Sequence, residues 1–232
     1  MLKKIVFNGD SLTAALEVPY ATDRWPYRVG IHNGYAPADI INKGKSGRHS
    51  NQMVLDFHAD VMSYASEIDV LAMMFTVNDK TNGIMLAQSK ANYINMITQA
   101  QNAGIQVVLL TPNLYTSNLP SWVPWLDMWD EIAAETGCVL IDVWREFVWQ
   151  TYVRSDWFSY YYADYAHTNT NGNALIYFTA RKKMHEGAFL KAQPAEPQQP
   201  SDSSELVLSL ADLVANGATA TRLQRALNAI NG

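Results

Sequence analysis

The sequence predicts an α/β fold with a parallel, five-stranded sheet covered by helices on both faces. Three observations carry that reading. Short apolar runs of strand length alternate with longer runs of helical period. Glycine or proline punctuates the joins between them, at Gly104, Pro112 and Gly137. The 232 residues, 48% hydrophobic and 17% charged, suit one domain of ordinary size with a small appendage, and two full domains are not expected.

The first strand is read over residues 4–8, after which Gly9 supplies conformational freedom for a sharp turn that leaves Ser11 at a helix start. Further strands are expected at about 38–42, 68–75, 105–111 and 138–142. Between the third and fourth, residues 87–103 read as a helix with Ala91, Ile94, Ile97 and Gln101 on one face and Gly104 as its stop. Residues 125–136 read as a second helix, ended by Gly137, and residues 174–189 as the last of the main domain, 1–191. Residues 192–204 hold three prolines among polar residues and read as an extended linker. Beyond it, residues 205–232 read as two short helices, too short to be stable alone, which dock on the main domain or join copies into a homo-oligomer.

Composition excludes several classes of function. A net charge of −5 without a basic stripe gives no electrostatic reason to bind nucleic acid. No apolar run reaches membrane-spanning length, and no hydrophobic signal core precedes the first strand, so no secretion signal is expected and the compartment stays open. The single Cys138 lies in an apolar strand-like run, where a buried, inert thiol is expected. No Cys or His spacing resembles a metal site and no glycine-rich phosphate loop is present, so neither metal nor other cofactor is expected.

Two short motifs carry chemistry. Gly9-Asp10-Ser11-Leu12 places a serine at the end of the first strand, and Asp164-Tyr165-Ala166-His167 places an aspartate three residues before a histidine. Each alone has a plainer reading, the first as a helix cap and the second as a loop pair. Together they offer what nucleophilic attack by a serine needs: a base to take its proton and a carboxylate to orient that base. Among His32, His49, His58, His167 and His185, only His167 has an aspartate at that spacing.

Four blocks in order resemble the SGNH hydrolases, also called GDSL esterases and lipases, over roughly residues 3–190. Gly9-Asp10-Ser11-Leu12-Thr13 is similar to the first block, Gly47 in Asn42-Lys43-Gly44-Lys45-Ser46-Gly47 to the second, Thr76-Val77-Asn78-Asp79 to the third, and Asp164 with His167 to the last. The resemblance implies a flavodoxin-like three-layer α/β/α sandwich. It further implies catalysis by Ser11, His167 and Asp164, with an oxyanion hole formed by the backbone of Ser11 and Gly47 and the Asn78 side chain. One position departs from the pattern: the third block's glycine is Thr76, whose β-branched side chain adds bulk beside the oxyanion hole.

Aromatic residues crowd the segments expected to border the site. Trp122, Trp125 and Trp129 follow the fourth strand at helical spacing, which is equally the pattern of a core-facing stripe. Trp157, Phe158, Tyr160, Tyr161, Tyr162 and Tyr165 run into the Asp164 loop, and such a run cannot all face inward. Thr76, Trp122, Trp157 and Tyr165 are therefore candidates for a cleft. Aromatic platforms suit sugar rings, so the expected substrate is a short-chain acyl ester, acetyl above all, on a carbohydrate. A lipid or thioester acylhydrolase, and a glycan-binding or virion structural module of the same fold, are the alternatives.

Overall fold

The structure is a computed structural model that describes residues 2–113, 119–150, 159–162, 164 and 166–183. Its strands are β1 (Lys4–Asn8), β2 (Ile40–Asn42), β3 (Ile68–Met74), β4 (Gln106–Leu110) and β5 (Val139–Ile141). All neighbours pair in parallel, in the order β2-β1-β3-β4-β5. These are the five expected strands, β1 with the expected bounds and the other four trimmed at one or both ends. β2 begins at Ile40, after the expected start at about 38, because Pro37 opens a 3-10 turn over Pro37–Asp39.

Among the described residues eight helices cover the sheet or connect its strands: α1 (Ser11–Ala14), α2 (Trp25–His32), α3 (Ser50–Asp60), α4 (Asn78–Thr81), α5 (Leu86–Asn102), α6 (Val123–Thr136), α7 (Val143–Val148) and α8 (Thr170–Lys183). Alternate strand residues face opposite layers. Ile5, Phe7, Val70, Ala72, Met74, Val108 and Leu110 pack toward α2, α7 and α8, whereas Val6, Leu71, Met73, Val107 and Leu109 pack toward α3, α5 and α6. Burial on both faces explains why the strands read as unbroken apolar runs. Among the described residues no helix is long and apolar enough to cross a membrane.

Several local expectations are corrected. The core face of α5 runs through Ser89, Tyr93, Met96, Ile97 and Ala100, while Ala91 and Gln101 are exposed. Tyr93 displaces the expected face because its hydroxyl has a buried partner, the Thr76 amide at 2.8 Å. Helix α8 starts at Thr170 rather than 174, since the Asn169 side chain accepts from the amides of Asn171 and Gly172 at 2.9 and 3.1 Å. Cys138 is only partly buried, with its thiol pushed up by desolvation. The expected linker 192–204 and tail 205–232 lie outside the described residues.

Candidate active site

The C-terminal ends of β1 and β3, where strand order reverses, are the expected place for a ligand in such a sheet. The turn after β1 holds Ser11. Gly9 is required there for room, not for a positive φ: a Cβ would lie 2.1 Å from Thr13 Oγ1 and 3.2 Å from the Met74 carbonyl oxygen. Asp10, not Ser11, caps α1, its Oδ1 accepting from the Leu12 amide at 2.9 Å. Ser11 is therefore the first helical residue, and its amide has no acceptor within the helix. Trp25 supports the turn from below, donating its indole N–H to the Leu12 carbonyl at 2.9 Å and meeting Phe7 edge-on at 5.3 Å.

The second half of the site is a small antiparallel loop. Tyr161 bridges to Thr168, the Tyr162 amide donates to the His167 carbonyl at 2.9 Å, and the Asn169 amide donates to Tyr160 at 3.0 Å. Asn113, at the end of β4, holds the Ala166 carbonyl through its side-chain amide at 2.9 Å. Within this frame Asp164 Oδ1 accepts the amides of Ala166 and His167, both at 3.0 Å, and Oδ2 lies 2.6 Å from His167 Nδ1. Burial works to raise the Asp164 carboxyl, but the hydrogen bonds from the His167 ring and the two amides outweigh it and hold it below its usual range. With the proton kept on Nδ1, His167 Nε2 is an acceptor, and it stands 2.9 Å from Ser11 Oγ. A hydroxyl, an imidazole and an ionised carboxylate in that order are equipped to transfer a proton from serine to histidine.

The third element is the loop between β2 and α3. Gly44 presses on α1, where a Cβ would lie 2.2 Å from the Ala14 nitrogen, and Asn42 donates to the Thr13 carbonyl at 2.9 Å. Gly47 differs: it is exposed, faces open space and has φ +73°, so conformation alone requires glycine. The next residue, Arg48, is buried and ties the turns together. Its guanidinium donates to the carbonyls of Gly9 and Lys43, each at 2.8 Å, to the Asn8 side chain, and to Asp60 at 2.7 Å.

Beyond β3, Thr76 is buried on ordinary backbone without positive φ. Its hydroxyl lies 2.8 Å from Asp10 Oδ2 and 2.9 Å from the Arg48 carbonyl, and accepts from the Asn78 amide at 3.0 Å. The Asn78 side-chain nitrogen reaches the same two acceptors, at 3.1 and 3.3 Å. Burial pushes the Asp10 carboxyl up, against the opposing pull of Thr76 and the Leu12 and Val77 amides. Asp79 turns the other way and accepts from the Ser50 amide at 2.6 Å, fixing the start of α3.

The structure thus brings Ser11, His167 and Asp164 into one hydrogen-bonded row and connects Thr76 and Asn78 through Asp10 to the Ser11 turn. Trp122, expected at the cleft, is instead buried with Trp125 and Trp129 in the layer of α5 and α6, where Phe75 stacks on Trp129 at 5.4 Å. The helical spacing of the three tryptophans was the signal of that core stripe. Tyr161 also turns inward, against Phe147. Trp157 and Tyr165 lie outside the described residues. Sequence reasoning missed Arg48, Trp25 and Asn113, whose partners are distant in the chain. It also missed Glu17, whose Oε1 stands 3.7 Å from His167 Nε2. Among the described residues no group of His, Cys, Asp and Glu gathers as a metal site.

Comparison with known proteins gives this geometry a family. The sequence model of the GDSL-like lipase/acylhydrolase family matches residues 7–175. The chain belongs to that family. As a GDSL-like protein it is a carboxylic ester hydrolase, acting on a small-molecule ester. Solved structures share its fold at low identity. An acetylxylan esterase from Geobacillus stearothermophilus, in a catalytic mutant form, superposes with a TM-score of 0.64 at 16% identity, over 84% of this chain and 97% of that one. An acetyl xylan esterase matches at TM-score 0.63 and 21% identity, over 78% and 98%. A lipolytic protein of the G-D-S-L family from Veillonella parvula matches at 0.63 and 19%, over 77% and 96%. A search of curated protein sequences returned no match.

Proposed function

We propose that this GDSL-like hydrolase is a serine esterase that removes a short acyl group, acetyl above all, from a carbohydrate through Ser11, His167 and Asp164. The observation that carries the reading is the row Ser11 Oγ, His167 Nε2, Nδ1 and Asp164 Oδ2, with separations of 2.9 and 2.6 Å. His167 Nε2 takes the Ser11 proton as Oγ bonds to the ester carbonyl carbon, and the carbonyl electron pair moves onto oxygen. The amides of Ser11 and Gly47 and the side chain of Asn78 hold that oxyanion. When it collapses, the bond to the alcohol oxygen breaks and His167 returns the proton to the departing alcohol. Water, deprotonated by the same nitrogen, then releases the acid and restores Ser11.

The carbohydrate substrate draws support from two structural relatives that are esterases of acetylated xylan, and from Tyr160 and Tyr162, which stand partly exposed beside the His167 loop. Ser11→Ala tests the chemistry: hydrolysis of 4-nitrophenyl acetate is expected to fall by about 10,000-fold or more. Undiminished turnover in that variant would remove Ser11 from the mechanism. A panel of acyl chain lengths tests the substrate, and a preference for long chains over acetyl would replace the carbohydrate reading with a lipid one.

A further inference from the structure

Glu17 lies on the loop between α1 and α2. Its carbonyl accepts the Tyr162 hydroxyl at 2.8 Å, so this loop is tied to the segment that carries His167. His167 Nε2 thereby faces two oxygens, Ser11 Oγ at 2.9 Å and Glu17 Oε1 at 3.7 Å. Acyl transfer uses the first and leaves the second without a role. The Glu17 side chain is about one-third exposed, at 32%, and among the described residues no lysine or arginine comes within ion-pairing distance of it. A carboxylate with open acceptor sites thus stands beside the base, in reach of whatever binds there.

We propose that Glu17 selects the alcohol half of the ester, accepting a hydrogen bond from a hydroxyl on the carbon next to the acylated one. The inference rests on the proposed role of His167. That histidine must return its proton to the leaving oxygen, which therefore comes within about 3 Å of Nε2. A carboxylate oxygen bordering the same nitrogen borders the alcohol rather than the acyl group. It accepts and cannot donate, and its hydrogen bonds are charge-assisted. It therefore favours an alcohol with a free neighbouring hydroxyl, as in a singly acylated sugar ring, and repels one carrying a negative charge. Because the alcohol has gone before water attacks, the preference acts on acylation and leaves deacylation of a common acetyl-enzyme untouched.

The test is kcat/KM for the full chain, Glu17→Gln and Glu17→Ala on paired acetyl esters. One pair is a methyl glycoside monoacetate with its neighbouring hydroxyl free or methylated. The other is phenyl acetate and 2-acetoxybenzoate, whose leaving group carries a carboxylate. Glu17→Ala is expected to lower the free-to-methylated ratio by about tenfold. Glu17→Gln, which keeps an acceptor without the charge, should fall between, and both variants should raise 2-acetoxybenzoate relative to phenyl acetate. A loss shared equally by all four esters would overturn the proposal, assigning Glu17 to positioning of His167 or to the loop; unaltered rates throughout would overturn it as well. Ser11→Ala with phenyl acetate is the separate control: turnover surviving there would break the underlying esterase mechanism, whatever Glu17 does.

Discussion

At Thr76 one hydroxyl proton faces two acceptors, Asp10 Oδ2 and the Arg48 carbonyl, and the Asn78 amide group spans the same pair. If Asn78 turns an N–H toward the oxyanion, as the proposed mechanism requires, one of those acceptors loses its donor, and the Thr76 hydroxyl is in place to serve it. The bulk that the sequence alone marks as a departure from the family glycine is thus a reserve donor on unstrained backbone. Thr76→Val keeps the shape but removes the hydroxyl, which leaves the buried Asp10 carboxylate short of a donor and the Asn78 amide without its acceptor. We expect it to cost about 1–3 kcal/mol in urea unfolding and to lower kcat for 4-nitrophenyl acetate roughly tenfold. Thr76→Ser should retain both properties; equal behaviour of the valine and serine variants would show the hydroxyl to be idle. Asp164 needs no such backup. Its carboxyl is held below the usual carboxylate range by the His167 ring and the two loop amides, so it keeps its charge further into acid than a free carboxylate does.

The turns that carry the site are elements only because Arg48 joins them. Its side chain binds the Gly9 carbonyl behind Ser11 and the Lys43 carbonyl before Gly47, while its own carbonyl lies within reach of Thr76 and Asn78. Lysine cannot reproduce that fork of donors. Arg48→Lys should therefore lower kcat more than it raises KM, because the Ser11 and Gly47 amides lose their alignment while the cleft keeps its lining. It should also destabilise the fold by about 3 kcal/mol, at the low end for a broken buried pair, since Asp60 keeps Lys45 at 3.0 Å. A KM effect alone would place Arg48 outside the proposed oxyanion hole. None of this was legible in the sequence, where Arg48 is one cation in a loop and its partners Asn8 and Asp60 are far along the chain. The glycines were legible as residues but not as reasons: Gly9 and Gly44 make room, whereas Gly47 supplies φ. Helix α3 escaped notice for a related cause. Its buried stripe of Ser50, Met53, Phe57 and Asp60 is half polar, because Asp79 and Arg48 satisfy its ends.

Across the whole molecule, the sheet was the most legible feature, since each central strand buries both faces and needs an unbroken apolar run. The placement of Ser11 and His167 could be inferred from order along the chain, but their contact, 156 residues apart, is made by the assembled sheet. That long closure has a consequence for unfolding. Ser11 is held by β1, α1 and Trp25, His167 by Asn113 at the end of β4 and by the loop leading into α8, and α8 is joined to α2 where Asn173 Oδ1 accepts the Trp25 amide at 3.2 Å. Tryptophans report on both layers, Trp25 on one and Trp125 and Trp129 on the other. If the site is as firmly set as these contacts require, esterase activity and tryptophan fluorescence should be lost together at one urea midpoint, as expected of a cooperative single domain. Activity vanishing well below the fluorescence midpoint would mean that the His167 loop opens by itself, and that Asn113 and Asn169 do not hold it to the sheet.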